Sequence, residues 1–141
     1  MMNTNHVDIL HRAGLRVTPQ RIAICEFLAS TDTHPTSNDI YEQLKNRYPS
    51  LSLATIYNTM DILVGMGYVN VLGTIGDDKV HFDGNTSPHV NLACIQCHKI
   101  VDMQSDLVDQ LDSEINQNSG YRVLGARVLY YGICPQCQST D

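Results

Sequence analysis

Residues 52–66 read SLATIYNTMDILVGM. Ser52 is a side-chain N-cap, and Gly65 and Gly67 close the far end, so the stretch predicts one helix. At about 100° per residue, Leu53, Ile56, Met60, Leu63 and Val64 share one face. Ala54, Thr55, Asn58 and Asp61 turn away, with Tyr57 at the border. The outer face is small, polar and weakly charged, which suits a helix that enters a DNA major groove and reads base edges. The plainer alternative is a generic helical bundle in which this face simply meets solvent.

The flanking sequence favours the first reading. Residues 4–13 form a short helix ending at Gly14. Thr18 caps a second, with Pro19 at its first position, that runs to about Ser30. Thr36 and Asp39 form a capping box opening a third, which stops before Pro49. After the quoted helix come two β-like runs, Tyr68 to Leu72 and Lys79 to Asp83, joined by GTIGDD. Three helices ending in a two-stranded hairpin make a winged helix-turn-helix.

Beyond the turn-rich GNTSP the composition changes. Val90 to Ala93 and Ile100 to Met103 read as strands. Ser105 caps a helix with acids in its first turns and Leu107, Val108, Leu111 and Ile115 on one face, ending at Asn118 to Gly120. YRVLGARVLYYGI, from Tyr121, reads as a strand apolar on both faces, which must be covered twice. In so small a unit the simplest second cover is another copy of the chain, so a homodimer built by residues 85–141 is expected. The fold class is α+β: an N-terminal winged-helix domain over residues 1–84 and a C-terminal α/β dimerisation domain over residues 85–141.

Composition sets limits on function. With 141 residues, 43% hydrophobic and 17% charged, the chain is globular. No apolar run approaches the roughly 20 residues of a membrane span, and MMNTNHVDIL lacks a basic-then-apolar signal, so a cytoplasmic protein with no membrane association is expected. In that reducing compartment five cysteines argue for metal thiolates rather than disulfides. The net charge of −6 is uneven: residues 1–72 carry five Lys/Arg against six Asp/Glu, and residues 73–141 carry four against nine. Cations bound in the acidic part would offset it, so DNA binding by the first part is not excluded.

Cys94-Ile-Gln-Cys97 and Cys134-Pro-Gln-Cys137 are two CxxC knuckles, each able to present two thiolates to one tetrahedral Zn²⁺. A thioredoxin-like redox role is disfavoured because neither pair opens a helix after a strand in a βαβ unit. CIQCH also matches covalent haem attachment, but no export signal accompanies it and the second knuckle would be unexplained. Cys25, among Ile22, Ile24 and Leu28, reads as a small core residue. A second constellation holds His89 and Asn91 on one strand face, Asp83 at the end of the hairpin, Asp102 at the end of the following strand, and His34 in a loop. Imidazole with carboxylate and no thiolate suits Fe²⁺, Mn²⁺ or Zn²⁺. Pattern alone does not join these residues, since a lone loop histidine is ordinarily a solvated or capping residue.

TPQR at 18–21, HPT at 34–36, SLATIYNTMDIL at 52–63, HFD at 81–83, the two knuckles and YGICPQC at 131–137 together resemble the ferric uptake regulator family of metal-dependent repressors. The resemblance implies a structural zinc held by Cys94, Cys97, Cys134 and Cys137. It also implies a regulatory Fe²⁺ or Mn²⁺ held by His34, Asp83, His89, the position of Asn91, and Asp102. Asp83 and the pair Tyr57-Asn58 resemble the peroxide-sensing branch, in which oxidation of a histidine ligand ends repression. The family usually has a second histidine at the position of Asn91. Either the amide oxygen is a weak ligand here, or His6, His11 or His81 completes the set. For DNA the resemblance and the helix pattern point to Thr55, Tyr57 and Asn58, with Arg12, Arg16 and Arg21 as anchors on phosphate or minor groove and a palindromic promoter as the target. Competing expectations are an iron, manganese or zinc uptake repressor on the same scaffold, and a zinc-ribbon interaction or thiol redox protein that does not bind DNA. An enzyme is not expected, because no general base is paired with a nucleophile.

Overall fold

The computed structural model describes residues 5–73 and 77–139. Four helices open the chain: α1 (His6–Arg12), α2 (Pro19–Ser30), α3 (Ser37–Leu44) and α4 (Leu53–Gly65). Their starts follow the local chemistry expected of them. Thr18 accepts a hydrogen bond from Arg21 N, Ser52 accepts one from Thr55 N, and Thr36 and Asp39 form the reciprocal capping box. Strands β1 (Asn70–Gly73) and β2 (His81–Asp83) pair antiparallel, with a bulge between Val71 and Gly73. Both strands are shorter than the sequence suggests, and residues 74–76 of the expected connecting turn lie outside the described residues.

One apolar cluster holds this part together. Leu10, Ile24, Ile40, Ile56, Met60 and Leu63 are its most buried members, and Phe82 of β2 closes it. Thr59 joins the buried face of α4 because its hydroxyl donates back to the Thr55 carbonyl at 2.7 Å, so no hydrogen-bonding group is left unpaired there. Phe82 N also donates to Pro35 O at 2.9 Å, which ties the loop before α3 to the hairpin and brings His34 beside Asp83.

The rest of the chain is a three-stranded sheet in the order β4-β3-β5, from β3 (Val90–Cys94), β4 (Ile100–Met103) and β5 (Val128–Gly132), with α5 (Asp106–Asn118) in the crossover and a short α6 (Pro135–Gln138) at the end. β3 pairs antiparallel with β4 and parallel with β5. Two expectations need correcting. Ser105 stands at the N-cap of α5 but makes no side-chain capping bond. The long strand expected from Tyr121 begins only at Val128, because the segment before it is drawn onto the hairpin instead. Asn70 Nδ2 donates to Ala126 O at 3.0 Å, Arg127 Nη1 donates to Val71 O, and Leu124 packs against Gly67.

Helix α5 has no buried residue, and Leu107, Leu111 and Ile115 share its exposed apolar face. Tyr130 and Tyr131 of β5 are likewise open. Among the described residues no helix is long and apolar enough to cross a membrane.

Candidate metal centres

The two knuckles meet at the ends of β3 and β5. Ile95 N donates to Gly132 O at 2.9 Å, holding the strand ends together, and His98 at φ +64° closes the first knuckle with its N–H on Cys94 O. The four sulfurs of Cys94, Cys97, Cys134 and Cys137 lie within 4.8 Å of one another. Cys97 Sγ and Cys134 Sγ are 3.8 Å apart, far beyond a disulfide bond. That separation is the edge of a tetrahedron with Zn–S bonds of about 2.3 Å.

Electrostatics agrees with a cation at the centre. Backbone N–H groups of Cys97 and then Cys134 draw the Cys94 thiol down to about 5. Hydrogen bonding to the Cys134 sulfur pushes Cys137 up to about 12. Four sulfurs so close cannot all ionise alone, and Zn²⁺ among them removes the conflict. The donor set fits zinc.

A second cluster forms where the hairpin meets the sheet. His34 Nε2 lies 2.8 Å from Asp102 Oδ1 and 3.8 Å from Asp83 Oδ2, and His89 Nε2 lies 2.7 Å from Asp83 Oδ2 and 3.7 Å from Asp102 Oδ1. Imidazole and carboxylate therefore alternate around a ring of four atoms. Asn91 of β3, paired with Asp102 on β4 and only 1% exposed, sets its amide against that ring. Its Oδ1 is 3.2 Å from His89 Nε2, while its Nδ2 donates to Val128 O at 3.4 Å. Ligands on a cation with bonds of about 2.1 Å stand roughly 3.0 to 3.5 Å apart. The ring's edges straddle that range: atoms of His34, Asp83 and Asp102 all lie within 4.8 Å of one another, and His89 reaches the same two carboxylates.

The surroundings prepare each donor. Ser87 O accepts from the His89 Nδ1–H at 2.7 Å, leaving Nε2 to face the ring. Burial opposes charge on His89, but the Ser87 carbonyl and the Asp83 carboxylate outweigh it and hold the imidazole above its ordinary value. Asp83 Oδ1 accepts from Asn85 N, so only Oδ2 is turned to the cluster.

His81 points elsewhere: its Nδ1 is 2.8 Å from His34 O and its Nε2 is 2.7 Å from Asp77 Oδ2. Burial resists the Asp77 charge, yet the bond from His81 and the Lys79 N–H hold that carboxylate below its ordinary value. His81 thus braces the His34 backbone and lends no nitrogen to the ring. His6 lies beside Cys25, Leu28 and Gly84, and His11 is exposed on α1, so neither joins the cluster. Asp77 and Ser87 escaped the sequence reading. The one available signal was the i, i+4 spacing of Asp77 and His81.

A sequence profile of the ferric uptake regulator family matches residues 12–131. The chain belongs to the ferric uptake regulator family. It is 40% identical over 129 residues to the peroxide-responsive repressor PerR of Staphylococcus aureus, spanning 92% of this chain and 86% of that one. Among solved structures, PerR from Streptococcus pyogenes is 36% identical, covers 94% of this chain and 90% of its own, and superposes with a TM-score of 0.52. The ferric uptake regulator of Pseudomonas aeruginosa with manganese shares the fold at a TM-score of 0.74 and 21% identity, over 94% and 99% of the two chains. As a member of this family the chain is a metal-binding regulator of transcription and not an enzyme, with a winged-helix part and a dimerising part.

On α4, Tyr57 and Asn58 are exposed, while Thr55 is half-buried with its hydroxyl 3.1 Å from Ser52 Oγ. Arg12 and Arg16 are exposed. Arg21 is half-buried and donates Nη1 to Arg16 O at 2.9 Å.

Proposed function

We propose that this ferric uptake regulator family member is a peroxide-responsive repressor that binds palindromic promoter DNA as a cytoplasmic homodimer. Residues 1–84 bind the DNA and residues 85–141 dimerise. The observation that carries the reading is the convergence of His34 and Asp83, from the helical part and its hairpin, with His89, Asn91 and Asp102, from the sheet, on one point. By gripping one cation together, the two sets of side chains hold the helical part and the sheet in one mutual arrangement, which is the condition for both reading helices of a dimer to meet DNA.

Fe²⁺ held by His34, Asp83, His89, Asn91 and Asp102 would activate H₂O₂ so that one peroxide oxygen adds to a neighbouring imidazole and the other leaves as water, the ring giving up the two electrons; Mn²⁺ would not. His34 and His89 are the rings whose Nε2 atoms face the ring of donors. Oxidation of either removes one donor from an already tight set and frees the two parts from each other. Cys94, Cys97, Cys134 and Cys137 hold Zn²⁺ as a clamp on the sheet. Tyr57 and Asn58 reach base edges, Thr55 steadies the helix start and contacts the backbone, and Arg12, Arg16 and Arg21 supply positive charge toward phosphate.

The test is salt-dependent binding to a palindromic promoter fragment, with Mn²⁺ and then with chelator. Binding with Mn²⁺ and none with chelator is expected, and indifference of binding to metal overturns the reading. Fe²⁺-loaded protein exposed to H₂O₂ should gain one oxygen on the peptide carrying His34 or His89. Oxidation confined to the cysteine peptides would identify a thiol switch instead.

A further inference from the structure

Asn91 has two incompatible sets of neighbours. With Oδ1 toward the ring, that oxygen meets only acceptors, while Nδ2 donates to Val128 O at 3.4 Å. Turned over, Nδ2 lies 3.3 Å from His34 Nε2, 3.2 Å from Asp83 Oδ2, 3.2 Å from His89 Nε2 and 3.0 Å from Asp102 Oδ1. Its oxygen then faces the Val128 carbonyl, acceptor against acceptor. A cation in the ring selects the first orientation, and an empty ring selects the second. The amide therefore serves as a donor to the ring without metal and as a ligand with it.

We infer that Asn91 is the specificity-determining residue of this centre, its carboxamide oxygen favouring Mn²⁺ and Fe²⁺ over Zn²⁺. The inference rests on the metal-dependent reading proposed above. With Asn91 the donors are two imidazole nitrogens, two carboxylate oxygens and one amide oxygen. The two carboxylates balance a dication, so the donor set is neutral when filled, with Asp102 on its open side. Oxygen-rich sets suit Mn²⁺, whereas each added imidazole favours the metals later in the divalent series, Zn²⁺ among them.

Donor number points the same way. Asn91 adds a fifth donor beside two imidazoles and two carboxylates, and five donors exceed the four of the tetrahedron that Zn²⁺ prefers. The amide also competes as a hydrogen-bond donor, so an ion that gains little from the oxygen must still displace that bonding.

The experiment uses full-length protein whose four-cysteine site already holds zinc. Mn²⁺ and Zn²⁺ affinities at the second site are measured by calorimetric competition for wild type, Asn91→His and Asn91→Asp. In Asn91→His the Mn²⁺-to-Zn²⁺ affinity ratio should fall about tenfold or more, and in Asn91→Asp it should stay within about threefold of wild type. Pulsed electron paramagnetic resonance of the Mn²⁺-loaded wild type should count two coordinated imidazoles, a measurement that needs no variant to fold. An unchanged ratio in folded Asn91→His, or three imidazoles in wild type, overturns the inference and leaves the proposed function standing. A wild type that takes up neither ion there overturns the proposed function as well.

Discussion

Removing the four-cysteine metal should unfold the sheet before the helices. The sheet part has little else to hold it: beyond the hairpin, Val90, Ala93 and Cys94 are its buried hydrophobic residues among those described. Cys94 and Cys134 stand 40 residues apart. Cross-linking a loop of that size lowers the unfolded-state entropy by about 4 kcal/mol, a lower bound because the metal–sulfur bonds themselves are left out. For a unit this small, a loss of that order moves the unfolding midpoint down by roughly 15 °C or more. The perturbation is Cys137→Ser, paired with wild type stripped by a strong chelator. Zinc content, circular dichroism melts and size-exclusion elution follow the outcome. The expected result is loss of zinc, an early transition for the sheet, a later one for the helices, and a dimer that falls apart. If the zinc-free protein melts within about 5 °C of the loaded one and stays dimeric, the sheet is held by something other than the clamp.

Three further outcomes follow from the geometry. A Cβ at Gly84 would sit 2.6 Å from Leu28 O, a backbone atom that cannot step aside, so Gly84→Ala should cost about 1 to 3 kcal/mol; an unchanged melting midpoint would show that the hairpin end yields freely. Asn58→Ala, at an exposed position on α4, should leave the melt unchanged and weaken binding to the cognate promoter by 1 to 3 kcal/mol, roughly 5- to 150-fold, with little effect on unrelated DNA. An equal loss on both DNAs would make Asn58 a backbone contact. Burial, reinforced by Glu26, pushes the Cys25 thiol up to about 11, so at pH 8 it should resist alkylation in the native state. Above pH 9 the unfolded chain ionises this thiol while the folded one keeps its proton to about 11, so stability should fall across that window more in wild type than in Cys25→Ala; equal slopes would contradict the burial argument.

The helix starts were legible because capping is a matter of three or four adjacent residues. Thr18, Thr36 with Asp39, and Ser52 cap as their positions announce. The segment from Tyr121 was not legible. Its apolar run, without alternation, suits a strand covered on both faces, but Asn70, Val71 and Gly67, more than 50 residues away, compete for it and win. The cysteine set was readable from spacing alone, since a knuckle is local and two knuckles have one obvious meeting place. The mixed set was not: His34 and Asp102 are 68 residues apart, and nothing short-range joins them. His81 shows the same limit from the other side. A histidine beside ligands looks like a ligand until its two nitrogens are seen to face His34 O and Asp77.

Strand β3 carries Asn91 toward one centre and Cys94 toward the other, and it pairs Asn91 with Asp102 on one side and with Leu129 on the other. Side chains alternate along a strand, so slippage by one residue would turn Asn91 away from the mixed set and misplace Cys94 in the same movement. A nascent chain that pairs its strands out of step can therefore satisfy neither ion. Metal binding therefore adds its stability to the one alignment in which both coordination sets close.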